Sequence, residues 1–200
     1  MQNKTKAIIF DLDGMIVHGE RFSKRLATTF DISTDVTNHF FKEPFQLCLI
    51  GKADLKEELT KCIPAWNWQR SVDDLLDVWF SPEHNTIHGE FESALSLLHS
   101  KGVTCCLATN NEKYRTENLI VERKIGKWFD KVFSSAYLGV KKPDHSFFEE
   151  VMKKLVPFKK EEVIFWDDDD ENIKGANNFG LQTEFYTDFV DFSDKIKHLL

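Results

Sequence analysis

The sequence predicts an α/β protein: a doubly wound, Rossmann-like parallel sheet with a small α-helical insertion after its first strand. Three observations predict it. Short apolar runs end abruptly in Asp, Asn or Thr, and the stretches between them carry apolar residues at helical spacing. Residues 15–88, by contrast, hold helical patches and no convincing buried strand. A short β-branched or aromatic run stopped by polar residues reads as a buried strand that presents those residues at its C-terminal end. Strands alternating with helices argue a parallel sheet covered on both faces.

The elements follow in order. Lys6–Phe10 is the first strand and delivers Asp11-Leu12-Asp13-Gly14. Amphipathic patches then recur at Phe22, Leu26 and Phe30, at Leu55, Leu59 and Cys62, and at Val72, Leu75, Leu76 and Trp79, separated by Asp, Pro and Gly. They predict a small helical insertion over 17–88, with 1–16 and 89–200 forming the core. Phe91, Ala94, Leu95 and Leu98 share one helical face, and Gly102 stands where a helix end favours positive φ. The strand Val103–Ala108 runs into Thr109-Asn110-Asn111, and the weaker Lys131–Phe133 into Ser134-Ser135. Phe147, Phe148, Val151, Met152 and Leu155 form the next stripe, with Asp144 as its N-cap and Pro157 beyond. Val163–Trp166 ends in Asp167-Asp168, a helix over Glu171–Asn178 stops at Gly180, and Thr183–Tyr186 is the last strand.

Composition narrows the partners. The 200 residues carry a net charge of −7, which gives no whole-molecule attraction for nucleic acid or anionic lipid. No apolar run approaches the roughly 18 residues of a membrane span, and the start lacks the long apolar stretch of a secretory signal. Cys48, Cys62, Cys105 and Cys106 form no CxxC pair, so reduced thiols, a cytoplasmic location and no zinc site are expected.

In open parallel sheets, ligands bind outside the carboxyl ends of the strands. Four clusters fall at or near such ends: Asp11/Asp13, Thr109/Asn110, Lys141/Lys142 and Asp167/Asp168. Each alone is a weak signal. Asp-x-Asp-Gly occurs in loops and calcium loops, although Gly14 directly after Asp13 excludes a calcium loop. Thr109 alone reads as a strand-end cap, Lys-Lys-Pro as a solvated loop, and Asp167–Glu171 as a helix start. Together they make a cradle for a phosphoryl group. Gathered carboxylates call for a hard divalent cation, Mg²⁺ prefers oxygen ligands, a lysine adds positive charge, and an aspartate can attack phosphorus.

The sequence resembles the haloacid dehalogenase (HAD) superfamily along nearly its whole length. The first motif is Phe10-Asp11-Leu12-Asp13-Gly14-Met15-Ile16-Val17, the second Thr109, and the third Gly139-Val140-Lys141-Lys142-Pro143-Asp144. The fourth is Phe165-Trp166-Asp167-Asp168, followed by Glu171-Asn172-Ile173-Lys174-Gly175-Ala176. The resemblance implies Asp11 as nucleophile and metal ligand. It implies Asp13 as general acid/base, with its carbonyl on Mg²⁺. Thr109 and Asn110 would bind phosphoryl oxygens, and Lys142 rather than Lys141 would steady Asp11 and phosphate. Asp168 would be the main acidic metal ligand supported by Asp167, with Asn172 near a metal-bound water and Asp169, Asp170 and Glu171 solvated.

An acid at position 13 can protonate an alkoxide leaving group, which phosphate esters need and halides do not. The expected activity is therefore a Mg²⁺-dependent phosphatase of small phosphomonoesters, similar to bacterial sugar-phosphate phosphatases with a helical cap. A phosphomutase and a phosphoreceiver-like regulatory module are the alternatives. The expected partner is a small phosphorylated metabolite, and the expected state a monomer or weak homodimer. Met15 and Trp166 depart from the family pattern and are expected to narrow the pocket; Gln46 and Lys52 are candidate substrate contacts, and His18 a candidate entrance or hinge residue.

Overall fold

The structure, a computed structural model, describes residues 5–199. The first strand, β1 (Ala7–Phe10), is buried along its whole length. Its side chains alternate between two apolar clusters, Ile8 and Phe10 on one face of the sheet and Ala7 and Ile9 on the other. Only a strand covered on both sides has a use for such an unbroken apolar run.

The chain then leaves the sheet through a short ribbon. Strands β2 (Val17–Gly19) and β3 (Asn85–Ile87) pair antiparallel and bracket five helices. These are α1 (Phe22–Phe30), α2 (Thr34–Lys42), α3 (Pro44–Leu49), α4 (Leu55–Cys62) and α5 (Val72–Phe80). The sequence reading placed no strand between 15 and 88. At three residues each, with one buried position in each strand, β2 and β3 are too short to show an alternation. The five helices enclose their own apolar cluster, which includes Leu26, Phe40, Leu59, Trp66 and Leu75, with Phe22 stacked on Trp79 at 4.4 Å. Their starts are set locally. Asp54 accepts from the Lys56 and Glu57 amides, and Ser71 with Asp74 closes a capping box.

From α6 (Glu90–Ser100) onward the strands alternate with helices as expected. The succession is β4 (Thr104–Thr109), α7 (Lys113–Glu117), β5 (Lys131–Ser134), α8 (Ser135–Leu138), α9 (His145–Lys154), β6 (Val163–Asp167), α10 (Asp170–Phe179), β7 (Gln182–Phe185) and α11 (Phe189–Leu199). The five long strands form one parallel sheet in the order β5-β4-β1-β6-β7. Helices α6 and α11 cover one face through Phe91, Leu95, Leu98, Phe192 and Ile196. Helices α9 and α10 cover the other through Phe147, Phe148, Val151, Ala176 and Phe179. This is a doubly wound α/β fold. Its strand order reverses at β1 and β6, which opens a crevice above their C-terminal ends.

Asp144 is the extended N-cap residue of α9 as expected, although its side chain makes no cap hydrogen bond. Two other expectations need correction. Trp166 and Met15 do not narrow a pocket; both are fully buried in the cluster beneath α6 and α11, where Trp166 meets Phe192 edge-on at 5.0 Å. The four cysteines are free, and burial pushes the Cys48 and Cys106 thiols up to about 12, which makes them inert packing groups. Among the described residues no helix is long and apolar enough to cross a membrane.

Candidate active site

The Asp11 amide donates to the Trp166 carbonyl at 2.9 Å, which carries the pairing of β1 and β6 one residue past the strand. Beyond it the chain turns back on itself, with the Gly14 amide on the Val17 carbonyl and the Ile16 amide on the Leu12 carbonyl. Gly14 sits at φ 93°, and a Cβ there would lie 2.0 Å from Asp168 Oδ2. The glycine thus serves both the turn and the approach of Asp168. Gly14→Ala is expected to push Asp168 away, weakening divalent-cation affinity measured by calorimetry, and to cost about 1–2 kcal/mol of stability for the left-handed backbone.

Lys142 is buried between two carboxylates, its Nζ 2.5 Å from Asp11 Oδ1 and 2.7 Å from Asp167 Oδ2. Asn110 puts it there. The Asn110 amide donates to the Lys142 carbonyl and its Oδ1 accepts from the Lys142 N–H, both at 2.9 Å. Lys141 points the other way, to Gln46 Oε1 on α3. Asn110 therefore commits its side chain to holding Lys142. Its main-chain N–H has no partner among the described residues and is what it has left to offer.

Asp167 is fully enclosed. Besides Lys142 it accepts from Asn172 Nδ2 at 3.2 and 3.1 Å and from the Asp169 amide at 2.9 Å. Asn172 therefore orients Asp167. Asp169 itself caps α10 by accepting from the Glu171 and Asn172 amides, while Asp170 and Glu171 pair with Lys174 on the surface. Asp168 is the exposed member of the pair. One oxygen each of Asp11, Asp167 and Asp168 lie within 4.8 Å of one another.

The charges do not balance. Burial raises the Asp11 carboxyl well above the usual carboxylate range; Lys142 opposes this, and Asp167 and Asp13 add to it. Burial also raises Asp168, with Asp167 adding. Burial works against the Lys142 ammonium, yet Asp11 and Asp167 outweigh it and hold its pKa at about 12. One fixed ammonium thus faces three carboxylates. An all-oxygen donor set with excess negative charge fits a hard cation such as Mg²⁺, and the soft ligands that zinc favours are absent from it.

The end of β4 supplies the other side. Asn111 Nδ2 donates to both Thr109 Oγ1 and Asp13 Oδ2, each at 2.6 Å, so one amide ties the hydroxyl to the second aspartate. The other Asp13 oxygen pairs with the Arg115 guanidinium on α7. Sequence reasoning missed both donors. Asn111 stands in the same polar run as Thr109 and was available to it. Arg115 sits on a five-residue helix without an apolar stripe and carries no sequence signal.

The residues named as candidate contacts lie around this core. His18 bonds the Met15 carbonyl, packs against His88 with the rings tilted and their centroids 4.2 Å apart, and borders a cleft of about 260 Å³ that also touches Asp13, Arg21, Asn85 and Arg115. Gln46 is occupied by Lys141. Lys52 lines a second cleft of about 460 Å³, bordered also by Asp54, Glu112, Lys113 and Tyr114. There the helical insertion meets the core directly: Tyr114 Oη donates to Asp54 at 2.7 Å, and a Cβ on Gly51 would lie 2.2 Å from the Ala136 carbonyl.

Burial pushes Glu112 up to about 7, although it accepts from the Tyr114 and Arg115 amides at the start of α7. Its raised folded pKa contributes stability that is full below 4.5 and lost as pH rises through about 7. Glu112→Gln is expected to flatten the fall in thermal midpoint across that window.

The fold and the carboxylate crevice define a class: a Rossmann-like α/β protein that gathers acidic side chains at the ends of its parallel strands. Residues 5–180 match the haloacid dehalogenase-like hydrolase family, and the chain belongs to it. It is similar to a HAD family enzyme of Bacteroides thetaiotaomicron, at a TM-score of 0.81 and 19% identity over 96% of this chain and 98% of that one. That enzyme has also been solved with magnesium and inorganic phosphate. A predicted HAD-like hydrolase of Porphyromonas gingivalis is similar at 0.81 and 21% identity over 98% of both chains. Among curated proteins, bifunctional epoxide hydrolase 2 of Rattus norvegicus is 30% identical over 94 residues, 45% of this chain. The matches span 17% of that relative's length and 11% of that of a second one, drimenol cyclase of Aspergillus calidoustus.

Proposed function

We propose that the protein is a Mg²⁺-dependent phosphatase of small phosphomonoesters, with residues 17–88 as a helical cap over the site. The observation that carries this reading is the pairing of a lysine-bound, buried Asp11 with a second acid, Asp13, tied through Asn111 to the hydroxyl of Thr109. An ester of Asp11 formed by halide displacement needs no such acid; an alkoxide leaving from phosphorus does. The magnesium and phosphate bound by the similar Bacteroides enzyme support the same chemistry.

An Asp11 oxygen attacks phosphorus while the ester P–O bond breaks, and Asp13 gives its proton to the departing oxygen. Water then attacks the aspartyl-phosphate, Asp13 takes its proton, and the bond to Asp11 breaks to release phosphate. Thr109 Oγ1 and the Asn110 N–H hold phosphoryl oxygens, and Lys142 adds positive charge beside Asp11. Mg²⁺ would be held by Asp11, Asp168 and the Asp13 carbonyl, with Asp167 behind them. When bound, it supplies the positive charge that lets carboxylates and phosphate share the crevice.

A sugar phosphate is the favoured substrate and a hexose 1-phosphate the first to try, with the cap helices and the Lys52 cleft enclosing the leaving group. Neither nucleic acid nor membrane is needed, and we place the enzyme in the cytoplasm as a monomer or weak homodimer. A phosphate-release screen over sugar phosphates, nucleotides and aryl phosphates tests the reading. Turnover that is abolished by chelation, restored by Mg²⁺ and inhibited by excess Ca²⁺ is expected, because the looser coordination of Ca²⁺ disturbs in-line attack. Isomerised sugar phosphate without phosphate release would make it a mutase instead, and a single phosphorylation without turnover a receiver.

A further inference from the structure

Asp13 is far more exposed than Asp11, its side chain 43% accessible against 9%, and it lies past the end of β1, immediately ahead of the turn at Gly14. A single bridge to Val17 holds its backbone, and two side chains hold its carboxylate. Asn111 holds Oδ2 on the Thr109 side, and Arg115 holds Oδ1. Arg115 is itself nearly buried, at 11% side-chain exposure, and its Nη1 donates to Asn85 Oδ1 at 2.8 Å.

Asn85 is the first residue of β3, and its placement is over-determined. Its amide donates to the carbonyls of Trp79 and Ser81 at the end of α5, and its own carbonyl accepts from Arg123 Nη1 at 2.7 Å. A run of hydrogen bonds therefore leads from the last cap helix, through Asn85 and Arg115, to the Asp13 carboxylate. Arg115 has the planar fork suited to this task, with one nitrogen on each partner, whereas a lysine ammonium could serve one partner well and the other poorly.

We propose that Arg115 is a positioning residue for Asp13: it acts through that carboxylate, aiming it at the oxygen that must gain and lose a proton, and takes its own place from Asn85. This rests on the phosphatase reading above. Misaiming a proton-transfer group costs rate far more than binding, because substrate is held by the phosphoryl contacts.

The test is a double-mutant cycle on phosphate release from an alkyl phosphomonoester at saturating Mg²⁺. Arg115→Met is expected to lower kcat roughly 10- to 100-fold with KM changed less than about threefold. Arg115→Lys should recover part of the loss. In an Asp13→Asn background, Arg115→Met should cost almost nothing further, since the group it positions is gone. A merely structural arginine would lower kcat by the same factor in both backgrounds, and that additivity would overturn the proposal, as would an unchanged kcat in Arg115→Met. Thermal midpoints of all four proteins separate misfolding from misaiming, with Arg115→Lys as the variant that keeps the charge. Wild-type turnover unaffected by Asp13→Asn would instead sink the acid/base reading itself, and the proposal with it, before Arg115 is changed.

Discussion

Asp11→Asn is expected to abolish turnover, by at least about 10⁴-fold, while the fold survives. The amide has nearly the shape of the carboxylate but cannot attack phosphorus. Its carbonyl oxygen can still accept from Lys142, and Lys142 keeps Asp167 as its charged partner at 2.7 Å. Stability is expected to hold or rise without divalent cation, because burial already disfavours the charged form of Asp11. The thermal midpoint read with and without Mg²⁺ checks this: the variant should lose most of the cation-induced rise seen in the wild type. Retained turnover would remove the covalent mechanism.

Lys142→Met is the second large effect, and it falls on stability as well as rate. Lys142 is the buried cation that Asp11 and Asp167 share, and removing it leaves two enclosed carboxylates with no counter-charge. Breaking a buried pair from one side costs about 3–5 kcal/mol. For a chain of this length that is a fall of roughly 6–20 °C in thermal midpoint. Mg²⁺ should recover part of it, since a cation among the same oxygens relieves the same repulsion. Because the Lys142 pKa is raised in the folded protein, its contribution is full below 10.5 and lost as pH climbs through about 12. The wild type should therefore lose its advantage over Lys142→Met above pH 10.5. A variant as stable as the wild type at neutral pH would show that the ammonium is not what holds these carboxylates together.

Most of the sheet was legible because a strand buried on both faces must be apolar throughout and must stop where it meets water. Lys6–Phe10, Val103–Ala108 and Val163–Trp166 obey that constraint, and their polar ends line the candidate site. Elements that satisfy no such constraint were not legible. The ribbon strands β2 and β3 are three residues each and half exposed, and α7 and α8 are held by tertiary contacts rather than by an apolar stripe. Helix α11 is different: Phe189, Phe192 and Ile196 do carry a helical spacing and pack on the sheet.

Within the site, residue type was legible and direction was not. Asn110 and Asn111 are chemically identical neighbours, yet one turns to Lys142 and the other to Thr109 and Asp13. Trp166 and Asp167 are likewise adjacent on β6, and the two-residue period sends the indole under α11 while the carboxylate meets Lys142. Contacts that cross a hundred residues, such as Arg115 on Asp13, depend on β1 pairing with β4, which brings the segments beyond the two strand ends together. No local pattern encodes that.

Asp11 is expected to become phosphorylated during turnover. Rapid quenching of the enzyme with a phosphomonoester substrate and Mg²⁺, followed by borohydride reduction and peptide mass spectrometry, tests it directly, since an aspartyl-phosphate is reduced to homoserine. Homoserine at position 11, dependent on both substrate and Mg²⁺ and absent from Asp11→Asn, is the predicted result. Phosphate release with position 11 unmodified, or homoserine at another aspartate, would contradict it.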